Sequence, residues 1–184
     1  AQACGAIQDI SENHKDDEVH LLTTKPFFDL FKKNPYVSNV ILDNRLSRFN
    51  LIYLYSLMKN IKKFKFTKVY DLQNSSRTSF YKRILFPKAN KEIWSSTETT
   101  LPPGTTKQDF DKDSVLERFN HQLKSSGIDT FYTTKPNFSW SVSDISLIKS
   151  YYELENYIVI FPFCSPHLPQ KKWPYFNDLI ELLK

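Results

Sequence analysis

The chain has 184 residues, 40% hydrophobic and 15% aromatic, which suffices for one sizeable core and excludes a disordered polymer. No apolar run approaches the roughly 20 residues of a membrane-spanning helix, and no charged-then-apolar signal segment opens the chain. The net charge is +5, but ten Lys or Arg and one acid, Asp71, lie between Lys59 and Lys91, giving that segment +9 and the remainder −4.

In chain order, a helical pattern runs through AQACGAIQDISENHK, and EVHLLT (Glu18 to Thr23) reads as a strand. TKPFFDLFKKN follows as a helix, with Thr24 or Lys25 at its cap and Pro26 in its first turn. VSNVILD (Val37 to Asp43) is the next strand. Residues 50–63 then place Leu51, Leu54, Tyr55, Met58 and Ile61 on one helical face.

KVYDL (Lys68 to Leu72) is a third strand, followed by a helix from about Ser75 to Leu85. KEIWSS is a fourth strand candidate, and ETTLPPGTTKQ a polar loop. Asp113 is expected to cap the next helix, which buries Val115, Leu116, Phe119 and Leu123 and stops at Gly127. YIVIFPF (Tyr157 to Phe163) is the most apolar strand candidate. The loop CSPHLPQKK then leads to the amphipathic WPYFNDLIELLK.

Strands alternating with helices predict an α/β fold, a Rossmann-like parallel sheet with helices on both faces. Ligands of such sheets sit beyond the strands' carboxyl ends, where loops feed helix N-termini. Two loops have that position, Gln73 to Ser76 and Cys164 to Lys172. In the first, Arg77 and the hydroxyls of Ser75, Ser76, Thr78 and Ser79 suit an anion held at a helix N-terminus. The plainer alternative is that Asn74 or Ser75 caps the helix while Arg77 and Lys82 face water. In the second, Lys171 and Lys172 suit a diphosphate, or are solvated residues beside a helix that Trp173 staples.

Lysines 59, 62, 63, 65 and 68 read first as a solvated helix end, and second as a patch drawn to anionic lipid. Cys4 and Cys164 suggest no disulfide framework and favour a reducing cytosol. His14, His20, His121 and His167 lack metal-ligand spacing, and no P-loop or GxGxxG fingerprint occurs.

HLLTTKPFFDLFKKNPYVSNVILD, KVYDLQNSSRTSFYKRILFP and YIVIFPFCSPHLPQKKWPYFNDLI resemble, in order and spacing, the family 9 glycosyltransferases, the ADP-heptose:lipopolysaccharide heptosyltransferases and their relatives. ERFNHQLKSSGI resembles the helix and Gly turn before that family's interdomain region, so the resemblance covers nearly the whole chain. It implies a GT-B fold of two Rossmann-like halves. Residues 1–140 would be the acceptor half without its first strand, 141–156 a linker helix, and 157–184 the opening of the donor half. Both ends of the chain are accordingly expected to be cut.

The implied chemistry is inverting transfer of a heptose or similar sugar from ADP-heptose to a lipopolysaccharide core, with neither metal nor other cofactor. By position, Gln73, Ser75, Arg77 and Ser79 match the acceptor-side loop, and Ser165 and Lys171 match the groups on the donor diphosphate. The family's base, an Asp in a Gly-Asp loop, would lie upstream of Ala1, so no catalytic residue is expected here. The partners implied are a nucleotide-sugar and a glycolipid acceptor, with no nucleic acid. The setting is the cytoplasm, with room for peripheral contact at the inner membrane. Two alternatives stay open: a basic module binding anionic lipid or nucleic acid without catalysis, and a GT-B transferase using another nucleotide-sugar.

Overall fold

In the computed structural model, which describes residues 2–90, 92–97, 101–166 and 168–183, helix α1 (Ala3–Asn13) precedes strand β1 (His20–Thr24). β1 runs directly into α2 (Lys25–Phe31), where extended Thr24 stands at the N-cap and Pro26 lies in the first turn. There follow β2 (Asn39–Asp43), α3 (Leu51–Ile61), β3 (Val69–Tyr70), α4 (Ser76–Leu85), β4 (Trp94–Ser95), the single turn α5 (Lys107–Phe110) and α6 (Val115–Ser125). α7 (Ser146–Tyr151) and α8 (Phe176–Leu183) complete the order. The protein is mixed helix and strand, and every strand pairing described is parallel.

β1 pairs with β2, His20 opposite Asn39 and Thr24 opposite Asp43, while β3 pairs with β4, Val69 opposite Trp94. The expected continuous sheet is therefore two separate two-stranded pairs among the described residues. The cause is local. Asp71 bends the chain directly after Tyr70 by accepting the N–H groups of Gln73 and Asn74, so KVYDL contributes two strand residues instead of five. Lys91, at the start of the expected fourth strand, and residues 98–100 of the following loop lie outside the described residues.

Helices do cover both faces of the strands. Val40 joins the cluster of Cys4, Ile7 and Phe31 beneath α1 and α2, whereas its neighbour Ile41 joins Tyr53, Leu57, Ile61, Tyr81 and Leu85 beneath α3 and α4. Successive strand residues point to opposite faces, so the two helix pairs lie on opposite sides of β2. A third cluster packs Ala6 and Ile10 of α1 on Phe119 and Leu123 of α6, with Tyr70 and Leu72 against it.

Two helices differ from expectation. α3 buries Tyr53, Leu57 and Ile61, while Leu51 and Tyr55 face outward. α6 is capped by Ser114, not Asp113. The Ser114 hydroxyl accepts from the Glu117 N–H while the Glu117 carboxylate accepts from the Ser114 N–H.

The chain divides into two compact units, Ala1–Val142 and Ser143–Lys184. No described residue of the second unit is buried. YIVIFPF forms no strand there, and Ile158, Val159, Phe161 and Phe163 are exposed. A strand needs a neighbour for its backbone donors and acceptors, and this unit offers none among its described residues.

The first unit is closed by its own ends. Asp9 of α1 is buried, and its carboxylate accepts from the N–H groups of Phe131 (2.9 Å), Tyr132 (3.0 and 3.1 Å) and Thr133 (2.7 Å) and from the Thr133 hydroxyl (2.6 Å). Gly5, one turn earlier on the same helix face, lets α1 lie flush on this segment. A Cβ there would stand 1.9 Å from the Tyr132 carbonyl oxygen and 2.5 Å from its carbon. Gly5→Ala is expected to cost about 2 kcal/mol or more, since backbone must move, and Asp9→Ala about 3 kcal/mol, since three N–H groups and the buried Thr133 hydroxyl lose their acceptor. Denaturant unfolding checks both. Unchanged stability in Gly5→Ala would mean that α1 does not seat on residues 131–133.

Candidate functional site

The loops that leave β2 and β3 at their carboxyl ends are built alike. Each begins with a buried aspartate, Asp43 or Asp71, whose Oδ1 accepts backbone N–H groups of its own loop. Asp43 takes the Arg45 N–H at 2.7 Å, and Asp71 takes those of Gln73 and Asn74 at 3.1 and 2.9 Å. Each loop then has one left-handed residue, Arg45 (φ 51) or Asn74 (φ 49). Each ends in a side-chain helix cap. Asn50 accepts from the Tyr53 N–H, and Ser75 exchanges hydrogen bonds with Thr78 in a capping box. Asparagine tolerates the left-handed region readily, whereas arginine is held there at a cost of about 1 kcal/mol.

The two loops are joined through Asp43. Tyr53 donates to its Oδ1, Tyr81 donates to its Oδ2 at 2.9 Å, and the two hydroxyl oxygens are 3.2 Å apart. Arg77 Nη1 donates to the Tyr81 hydroxyl at 2.9 Å, and its Nη2 donates to the carbonyl oxygens of Leu46 (3.0 Å) and Arg45 (3.4 Å). From the opposite loop, Arg48 Nη2 donates to the Ser76 hydroxyl at 2.8 Å and its guanidinium lies over Phe80. Burial, then the Asp43 hydrogen bond, pushes the Tyr53 hydroxyl well above the ordinary tyrosine range. The hydrogen bond to Tyr81 raises Arg77 further.

A second polar layer fixes the β3 loop from behind. Asn74 Oδ1 accepts the Thr97 N–H at 2.7 Å, and Asn74 Nδ2 donates to Gln122 Oε1 at 3.3 Å. Fully buried Gln122 donates in turn to the Asp71 carbonyl and the Ser95 hydroxyl, each at 3.2 Å. A buried amide with partners on both of its polar atoms rigidifies what it joins. The β3 loop is thereby tied to β4 and α6.

Gln73, Ser75, Arg77 and Ser79 come together on this loop–helix junction, in unequal states. Ser75 is engaged in the cap and Arg77 in the bridge to the β2 loop, while Gln73 is exposed and Ser79 half-buried. Ser165 and Lys171 belong to the second unit. Both are exposed, and two consecutive turns link them: the Ser165 carbonyl accepts from Leu168 N–H and the Leu168 carbonyl from Lys171 N–H. Sequence reasoning missed Arg45, Arg48, Asp43, Tyr53 and Tyr81. The available signal was DNRLSRFN after a strand, a second strand–Asp–loop–cap pattern like DLQNSS. Arg45 is exposed, and its guanidinium has no partner among the described residues.

Comparison with protein-family models, curated proteins and solved structures finds no match. Among the described residues, no three His, Cys, Asp or Glu side chains converge in a way that could hold a metal ion, and no helix is long and apolar enough to cross a membrane.

Two outcomes follow. Tyr53→Phe and Tyr81→Phe remove donors from one carboxylate, so their stability effects should be non-additive by about 0.5–3 kcal/mol in a double-mutant cycle. Simple additivity would mean that the Asp43 network does not act as a unit. Tyr70, whose hydroxyl meets His14 Nε2 at 2.8 Å, is pushed up to about 12 from 10.0, first by burial and then by Asp17. The folded state therefore keeps a proton that the unfolded chain releases. The Tyr70 contribution is complete below pH 10.0 and is lost as the pH rises toward 12. Denaturant melts across that window should show falling stability, with a shallower slope in Tyr70→Phe.

Proposed function

We propose that the chain supplies the acceptor half, and the opening of the donor half, of an inverting GT-B glycosyltransferase. In this reading it moves a heptose or similar sugar from a nucleotide-sugar, ADP-heptose first, to a phosphorylated or carboxylated sugar of a lipopolysaccharide core. The observation that carries the reading is the junction of two βα loops at the carboxyl ends of parallel strands, where Arg45, Arg48 and Arg77 gather. Open α/β folds bind ligands at that edge, and guanidinium groups suit phosphate and carboxylate. Arg77 and Arg48 hold the two loops together. Arg45, whose backbone is left-handed and whose guanidinium has no partner among the described residues, is the group that meets the acceptor's charge. Gln73, exposed at the same junction, binds a sugar hydroxyl.

Neither aspartate of the junction serves as the base. Asp43 is buried under the Arg45 N–H and two tyrosine hydroxyls, and Asp71 under two backbone N–H groups. A base must reach the acceptor hydroxyl directly or through one water. The deprotonating carboxylate of the reaction is therefore neither of these two. Ser165 and Lys171, exposed on consecutive turns, are assigned to the departing diphosphate, whose charge a lysine offsets as it develops.

The test is calorimetric titration with a deacylated lipopolysaccharide core oligosaccharide carrying phosphate and carboxylate, against a neutral oligosaccharide of similar size. The charged ligand should bind and the neutral one should not. Arg45→Asn, which keeps the left-handed turn and removes the charge, should weaken binding about tenfold or more while raising stability by up to about 1 kcal/mol. Equal binding of both sugars, or an unaffected Arg45→Asn variant, would sink the reading.

A further inference from the structure

Helix α3 presents an outward face that the fold does not use. Tyr53, Leu57 and Ile61 point inward, so at 3.6 residues per turn the opposite side carries Leu51, Ile52 and Tyr55 in its first half and Lys59, Lys62 and Lys63 in its second. The apolar half is well exposed: Leu51 75%, Ile52 85% and Tyr55 64%, with Phe49 at 92% in the turn just before. The basic half surrounds a shallow depression of about 340 Å³ lined by Tyr55, Met58, Lys59, Lys62 and Lys63.

Single exposed apolar residues are ordinary, but four within the seven residues 49–55 at a helix start are not. Charge identifies the occupant. Between Asp43 and Asp71 the chain has seven Lys or Arg and no acid, and among the described residues none of the three lysines on this face forms an ion pair. An apolar tip followed within about 18 Å by an unneutralised basic patch matches the acyl boundary and phosphate layer of an anionic bilayer. A hydrophobic protein partner would not require the lysines, and a nucleic acid would not require the apolar tip.

We propose that this face docks the protein on an anionic phospholipid bilayer, with Phe49, Leu51, Ile52 and Tyr55 entering the interface and Lys59, Lys62 and Lys63 resting on headgroup phosphates. The face adjoins the arginine junction, since Phe49 follows Arg48, but its test reads bilayer binding and not sugar binding, so the failure of one leaves the other standing.

The experiment is flotation of the chain with vesicles containing phosphatidylglycerol and with vesicles of phosphatidylcholine alone. The chain should float with the first and not the second. Joint Lys59→Gln, Lys62→Gln and Lys63→Gln substitution should weaken partitioning roughly 100-fold. Ile52→Glu and Phe49→Glu should also abolish flotation while leaving the circular dichroism spectrum and melting temperature unchanged, because both side chains are exposed in the folded chain. Flotation unaffected by Phe49→Glu and Ile52→Glu would overturn the inference, as would equal binding to both vesicles. It would also fall if a random oligonucleotide were bound in place of vesicles, or if the chain formed a dimer that Ile52→Glu dissolves.

Discussion

Asp43 ends β2 inside the protein, with no salt bridge among the described residues to offset its charge. Burying an unpaired carboxylate costs several kcal/mol unless donors replace the lost water. Here one backbone N–H and two tyrosine hydroxyls replace it, and those hydroxyls come from α3 and α4. The requirement sets the rotation of both helices about their axes. Arg77, bound to the far side of the Tyr81 hydroxyl, then carries the constraint outward to the β2 loop. One buried acid thus determines how two helices and two loops meet.

The same device recurs at other turns of the first unit. Only three glycines are present in the chain, and two of them, Gly104 (φ 77) and Gly127 (φ 79), serve turns, so most tight loops need another means. Asp9, Asp43 and Asp71 instead gather backbone N–H groups, while Asn50, Ser75 and Ser114 close the helix starts. Side-chain caps of this kind hold a loop in one conformation, whereas glycine widens the unfolded and folded ensembles alike. The one tight approach that does need a glycine, Gly5 on the Tyr132 carbonyl, is a packing contact and not a turn.

Local signals were legible in the sequence. The alternation of strand and helix, Pro26 in the first turn of α2 and the Ser75 start of α4 all rest on residues within a few positions of one another. The inward face of α3 was not legible. LIYLYSLMKNI is apolar nearly all round, so periodicity offers competing stripes, and the choice falls to Tyr53 because its hydroxyl reaches Asp43. Strand pairing failed for a related reason, since YIVIFPF has strand composition but pairing belongs to two segments and not one. The site divides in the same way. Arg77 could be placed at a loop–helix junction from DLQNSSRTS, but its bond to Leu46 joins residues 31 apart and no local pattern announces it.

That long-range bond changes what the candidate site is. An Arg77 pointing into water would lose side-chain entropy on meeting each ligand. Anchored on Tyr81 and Leu46, it is a strut, and in the proposed reading the ligand meets the exposed groups that it supports. Arg45 lies on the supported loop in a backbone conformation that disfavours its side chain, and its exposed guanidinium meets no partner among the described residues. A costly backbone conformation whose side chain is left exposed is the kind retained at binding sites. The rigidity of the junction and the idleness of Arg45 have a common origin. Buried carboxylates fix the loop, and fixing the loop leaves the Arg45 side chain exposed beyond the end of β2.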